Sequence, residues 1–210
     1  MRTKRTGAIL ALTLVVSVSG CLGLVLGGGA TFVASEATVE DSEGVGYEHN
    51  ETKWINETRT VEGGGQEREI TVSSVANVYL NRTEGDDIPE GAFVTVSSPT
   101  VSVAGQAMNP VGDWDNERVV TEFSGELDDY GEISNVSERS SENKTVLGSE
   151  TTVSTFDATI EREGNVSKQI LIRAAKVEHD GDYVMAFAVY DTGDEANAAD
   201  IDELFERIEH

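Results

Sequence analysis

Residues 169–190 read QILIRAAKVEHDGDYVMAFAVY, two apolar runs either side of Asp180-Gly181. Asp-Gly between such runs is the strongest short hairpin signal, because both residues tolerate the positive φ that a two-residue turn demands. The stretches 169–177 and 183–190 are therefore expected as antiparallel strands bracketing HDGD (179–182). The second is nearly all apolar, which places it at the centre of the sheet.

Period-two patterning continues outward from this hairpin. Residues 69–80 (EITVSSVANVYL) read as one long strand, preceded by a strand over 58–62, with GGGQ (63–66) as the turn between them. A strand over 92–96 is ended or edged by Pro99. Residues 100–104 turn at Gly105-Gln106 into 107–109, and Val146-Leu147 turns through Gly148-Ser149 into 151–160. A short first strand is expected at 31–34.

Two segments carry helical spacing. Residues 116 to about 130 place Val119, Val120, Phe123 and Leu127 on one face, with Asp115 as N-cap and Glu117 in the first turn. Residues 195–209 set Ile201, Leu204, Phe205 and Ile208 at spacings of 3, 4 and 7. Each helix has one apolar stripe and an acidic back, so each covers part of a sheet. The expected fold is α+β: a single domain with an antiparallel sheet of about seven or eight strands and two amphipathic helices. No βαβ alternation appears, which argues against a dinucleotide fold.

The chain has 210 residues and a formal net charge of −24, with 15 Lys and Arg against 39 Asp and Glu. Its acids are spread along the whole length and only five bases are Lys. Such a surface suits a high-salt environment, where carboxylates stay hydrated and salt screens their repulsion. An acidic surface made for a cation or a basic partner is the competing reading. Either way, nucleic acid is excluded as a partner, because it requires a basic footprint. The single cysteine, Cys21, rules out an intramolecular disulfide and a zinc site built on several thiolates.

Residues 1–21 read MRTKRTGAILALTLVVSVSGC: basic Arg2, Lys4 and Arg5, an apolar run, then Ser19 and Gly20 before Cys21. The order Val-Ser-Gly-Cys resembles the lipobox of bacterial and archaeal lipoproteins. That resemblance implies a signal peptide over 1–20, a lipid on the Cys21 thiol, and an exterior, membrane-anchored address. Residues 21–45, Gly-rich and then acidic, are expected as a tether, and 46–210 as the domain. An uncleaved transmembrane anchor is the alternative, since no charge occurs between Arg5 and Glu36. Gly27-Gly28-Gly29 and the small residues before them weaken that helix.

Asn-x-Ser/Thr occurs at Asn50, Asn56, Asn81, Asn135, Asn143 and Asn165. Chance would give about two such sequons at this composition, and they have meaning only in an exported chain. Each is expected in a loop or at a solvent-facing edge.

Several landmarks together resemble an uncharacterised lipoprotein family of haloarchaea known only as a domain of unknown function. They are the lipobox with its Gly-rich tether, TFVASEATV (31–39), GYE (46–48), SSPTVSVAGQAMNPV (97–111), VLGSETTVSTF (146–156), VEHDGDYVMAFAVY (177–190) and LFERIEH (204–210). The resemblance implies export and anchoring and no known activity. The closing hairpin, apolar strand and helix also look like the Mog1/PsbP-type fold.

Chemistry is sparse. His49 lies in a polar stretch and His210 at the last position, while His179 beside Asp180 and Asp182 is the one metal-ligand candidate. Solvation of a turn explains that trio as well. Asp113, Asp115 and Glu117 alternate as in a calcium loop, but Arg118 and Ser124 stand where its glycine and bidentate acid belong. Asp191, Asp194 and Glu195 read as carboxylates near a helix N-terminus. No G-x-S-x-G elbow is present, and Gly63-Gly64-Gly65 lacks the Lys and Ser/Thr of a phosphate loop. Trp54 and Trp114 could serve as ligand platforms or pack at the sheet edge. The expectation is a non-enzymatic binding or envelope-interaction module with no catalytic residue, metal or cofactor. Its partners would be membrane lipid through Cys21 and an envelope protein or small ligand. The alternative is a metal-dependent or hydrolytic enzyme using the acidic clusters and His179.

Overall fold

The computed structural model describes residues 29–63, 66–82, 89–103, 106–125, 131–162 and 166–210. The leader, Cys21, Leu127 and Asn165 lie outside them. The hairpin that opened the sequence reading forms: β10 (Val166–His179) pairs antiparallel with β11 (Asp182–Asp191). Its two turn residues adopt positive φ, 47° at Asp180 and 90° at Gly181.

β11 is central, flanked by β10 and by β5 (Gly91–Pro99). Beyond β10 come β9 (Ser149–Arg162) and β8 (Glu132–Val146), while beyond β5 come β4 (Gln66–Asn81) and β3 (Glu48–Gly63). All of these pairings are antiparallel. β1 (Ala30–Val33) runs parallel to residues 70–73 of β4, so the eight-stranded sheet is mixed. Two small ribbons complete the strands: β2 (Thr38–Val39) with β12 (Ile208–Glu209), and β6 (Ser102–Val103) with β7 (Gln106–Ala107).

α1 (Asn116–Phe123) covers one face of the sheet and α2 (Glu195–Glu206) the other. The helices have only 8 and 12 residues, so the domain is mostly β rather than an even α+β mixture. On the first face Val119 and Val120 meet Phe156, Ile172 and Phe187. On the second, Phe205 meets Phe93 edge to face, ring centroids 5.2 Å apart, beside Ile201 and Leu204. Tyr47 is fully buried there and donates its hydroxyl to Asn197 Oδ1 at 2.5 Å. A Cβ at Gly91 would lie 2.5 Å from that oxygen, so position 91 admits only glycine.

Some expectations need correction. β3 starts at Glu48 rather than 58, and β8 is absent from the period-two reading altogether. Its ISNVSERSSENKT is polar because β8 is an outer strand, pairing along one side only and largely exposed. The second helix stops at Glu206, and Ile208 reaches the core from β12 instead. Residues 30–45, expected as the end of a tether, belong to the folded body. Ala34 N donates to Ser73 O, and Asn77 and Thr95 both donate to Ala37 O. Among the described residues no helix is long and apolar enough to cross a membrane.

Candidate functional site

Strand register assembles a polar cluster at one end of the α2 face. His179 and Asp182 are cross-strand partners next to the hairpin turn, and Ser97 lies one strand over, opposite Val184. All three share the face onto which β12 leads, because side chains alternate along a strand. Ile208 points inward and Glu209 outward, which returns His210 to the interior.

His210 Nε2 is 3.0 Å from Asp182 Oδ2 and 3.1 Å from Ser97 Oγ. Asp182 Oδ2 also accepts from the Ser35 amide at 2.8 Å and from Ser97 Oγ at 3.5 Å. A nucleophilic triad places serine and aspartate on opposite imidazole nitrogens. Here both address the same one, so with its proton donated to Asp182, Nε2 has no lone pair left for the Ser97 proton. The cluster ties β12 to the sheet, and its geometry is not that of a triad.

The other nitrogen, Nδ1 of His210, faces His179 Nδ1 at 3.2 Å, with ring centroids 5.4 Å apart. These values place the rings nearly in line, as an N–H···N bond requires. Asp180, the other partner expected for His179, is 3.9 Å away and 81% exposed. Among the described residues no three His, Cys, Asp or Glu side chains converge to hold a metal.

The remaining acidic candidates have local duties. Asp115 Oδ1 accepts from Arg118 N and caps α1, and Asp194 Oδ1 caps α2 through Asn197 N. Asp191 pairs with Lys168. Asp113 has no such cap and acts on the nearby Lys176. His49 bonds Thr52 and lies edge-on to Tyr79. It lines an open hollow of about 440 Å³ with Glu36, Asp41 and Glu43.

A narrower cleft opens on the α1 face, about 150 Å³ in volume, between β3, β4 and the 109–114 turn. Ile55, Val72, Val111, Trp114 and Phe123 form its apolar wall, with Ser74, Ser98, Asn109, Glu57 and Glu122 as its polar lining. The Asn109 amide donates to Ser98 Oγ and to Pro99 O, and its carbonyl accepts from Val111 N. Trp114 stacks edge-on to Phe123 at 5.9 Å, under the Arg118 guanidinium. Lys176 fixes this turn from β10, donating its ammonium to the carbonyls of Val111, Gly112 and Trp114. Burial pulls the Lys176 pKa down, against the opposing pull of Asp113 and Asp115. A cleft of this size admits a benzene-sized group.

Trp54, by contrast, is 49% exposed on β3 and does not line this cleft. Of the described sequons, Asn50 and Asn56 lie on β3 and Asn135 and Asn143 on β8, all exposed on the outer strands. Asn81 is only partly exposed.

Sequence reasoning missed the His210 cluster and the Lys176 clamp. The alternation of Ile208, Glu209 and His210 was the one signal available for the first.

The family model described as "Domain of unknown function (DUF6517)" matches residues 34–209. No curated protein matches the sequence. Among solved structures, the crystal structure of a Pseudomonas aeruginosa protein of unknown function is similar at 11% identity and a TM-score of 0.28, covering 68% of this chain and 88% of that one. A score that low says nothing of fold or function.

Proposed function

Since the chain belongs to the DUF6517 family, a domain of unknown function, we propose from its own residues that it is an extracytoplasmic binding domain. It is anchored through Cys21 to the outer face of a haloarchaeal membrane, and it holds a small apolar ring-bearing ligand at Trp114. The observation that carries the binding reading is the Trp114 cleft, in which an apolar wall faces the polar groups of Ser74, Ser98, Asn109, Glu57 and Glu122, a mixture that suits a ligand site. The leader, the sequons and the acidic surface support the address. The way Ser97 and Asp182 crowd one nitrogen of His210 favours binding over hydrolysis. The β10–β11 hairpin followed by α2 supports a Mog1/PsbP-type relation.

The test is a titration of the folded domain with benzene in high salt, followed through Trp114 fluorescence in a Trp54→Phe background. A saturable change that disappears when Val72→Phe fills the cleft is expected. A change that stays linear, or that Val72→Phe leaves intact, would overturn the binding reading.

A further inference from the structure

We infer that Asn56 carries an N-linked glycan whose first sugar lies against the Trp54 indole. This rests on the exterior address proposed above and goes beyond it by selecting one acceptor and the surface that receives the sugar.

The argument begins with period two. Trp54, Asn56 and Thr58 occupy alternate positions of β3, so their side chains share one face. Among the described residues β3 is an outer strand whose ladder runs to β4, and Asn56 and Thr58 are both exposed. The cross-strand register then adds Val33. Val33 and Asn56 are both partners of Ser73, from opposite sides, so the three lie in one row.

Asn56 thus shares its face with Trp54, two residues before it on β3, and with Val33, one strand beyond Ser73; these are 49% and 59% exposed. These are the exposed large hydrophobic side chains among the described residues. Single exposed apolar residues need no explanation, but two on one face around an acceptor asparagine point to a cover. A pyranose ring supplies one, because its axial C–H face is weakly positive and the indole face is negative.

The other described sequons lack this arrangement. The residue two before the asparagine is Glu48, Ile133 or Ser141 for Asn50, Asn135 and Asn143. For Asn81 it is Tyr79, which is 3% exposed and accepts from Val39 N through its hydroxyl. A glycan on β3 has a second consequence. It shields the outer side of a 16-residue strand against sheet extension by another chain.

The transfer requires a lipid-phosphate-linked oligosaccharide as co-reactant, presented by a membrane transferase. The Asn56 amide nitrogen attacks the anomeric carbon and the C–N bond forms. The anomeric C–O bond breaks, the phosphate leaves with the electron pair, and the amide proton passes to a transferase base. No oxidation or reduction occurs.

The experiment uses the protein purified from membranes of its own host. Mass spectrometry of its proteolytic glycopeptides is expected to find a hexose-containing adduct on the Asn56 peptide. Acrylamide quenching of Trp54, read in a Trp114→Phe background, is expected to rise about twofold in Asn56→Gln. An Asn56 peptide of unmodified mass overturns the inference, and so does an Asn56→Gln variant that quenches like the parent. Protease shaving of intact cells reports the address independently. A shaved chain with bare Asn56 refutes the glycan alone, whereas a chain protected inside the cell refutes the exterior reading and the glycan with it.

Discussion

Removing the His210 side chain tests whether its cluster with Asp182 and Ser97 is a structural lock. In the folded protein this imidazole is buried, with 1% of its side-chain surface exposed, and it meets an Asp182 carboxylate that is itself 9% exposed. His210→Ala takes from that carboxylate one of three donors, leaving Ser35 N at 2.8 Å and Ser97 Oγ at 3.5 Å. A hydrogen bond to a charged, buried group contributes about 1.5–3 kcal/mol. The buried ring adds packing, so a loss of about 2–4 kcal/mol is expected. For a domain of this size, each kcal/mol lowers Tm by about 2–4 °C, giving a drop on the order of 5–15 °C. His179→Ala removes only the bond to His210 Nδ1 from a side chain that is 28% exposed. Its cost should stay under about 1 kcal/mol. Circular-dichroism melts of both variants in high salt make the comparison. A His210→Ala melt within about 2 °C of the parent, or a larger drop for His179→Ala, would refute the assignment of the lock to the Asp182–His210 bond.

Lys176→Met frees the carbonyls of Val111, Gly112 and Trp114 and should weaken benzene binding at the cleft several-fold without touching the ligand, as fluorescence titration would read. Phe205→Ala opens a hole against Phe93 and should cost about 3–5 kcal/mol, seen as a lower guanidinium midpoint with unchanged slope. Tyr47 predicts an alkaline limit. Burial, the largest cause, and then Asp200 raise its pKa above the ordinary tyrosine value. A raised folded pKa means stability that is complete below about pH 10 and is lost as pH climbs above it. Tyr47→Phe should therefore be less stable at neutral pH, with Asn197 Oδ1 deprived of its donor, and should lose stability less steeply above pH 10 in parallel unfolding curves.

Legibility in the sequence followed locality. The β10–β11 hairpin was readable because two adjacent residues, Asp180 and Gly181, dictate its turn. The caps at Asp115 and Asp194 were readable for the same reason, each bonding an amide three residues on. β8 was not, since an outer strand needs a partner on one side only and can stay polar through ISNVSERSSENKT. His210 was passed over as a terminal residue because its meaning comes from Ser97, 113 positions away. Lys176 was hidden likewise, as its carbonyl acceptors lie 62 to 65 positions earlier. Trp114 proved to be both core and cleft wall, which no spacing rule separates.

The address underlies both the glycan and the binding proposals, and the intact mass of the protein extracted from host membranes tests it most directly. The account predicts a chain that begins at Cys21 and carries a lipid on that thiol. A chain still beginning at Met1 with an unmodified Cys21 would contradict it.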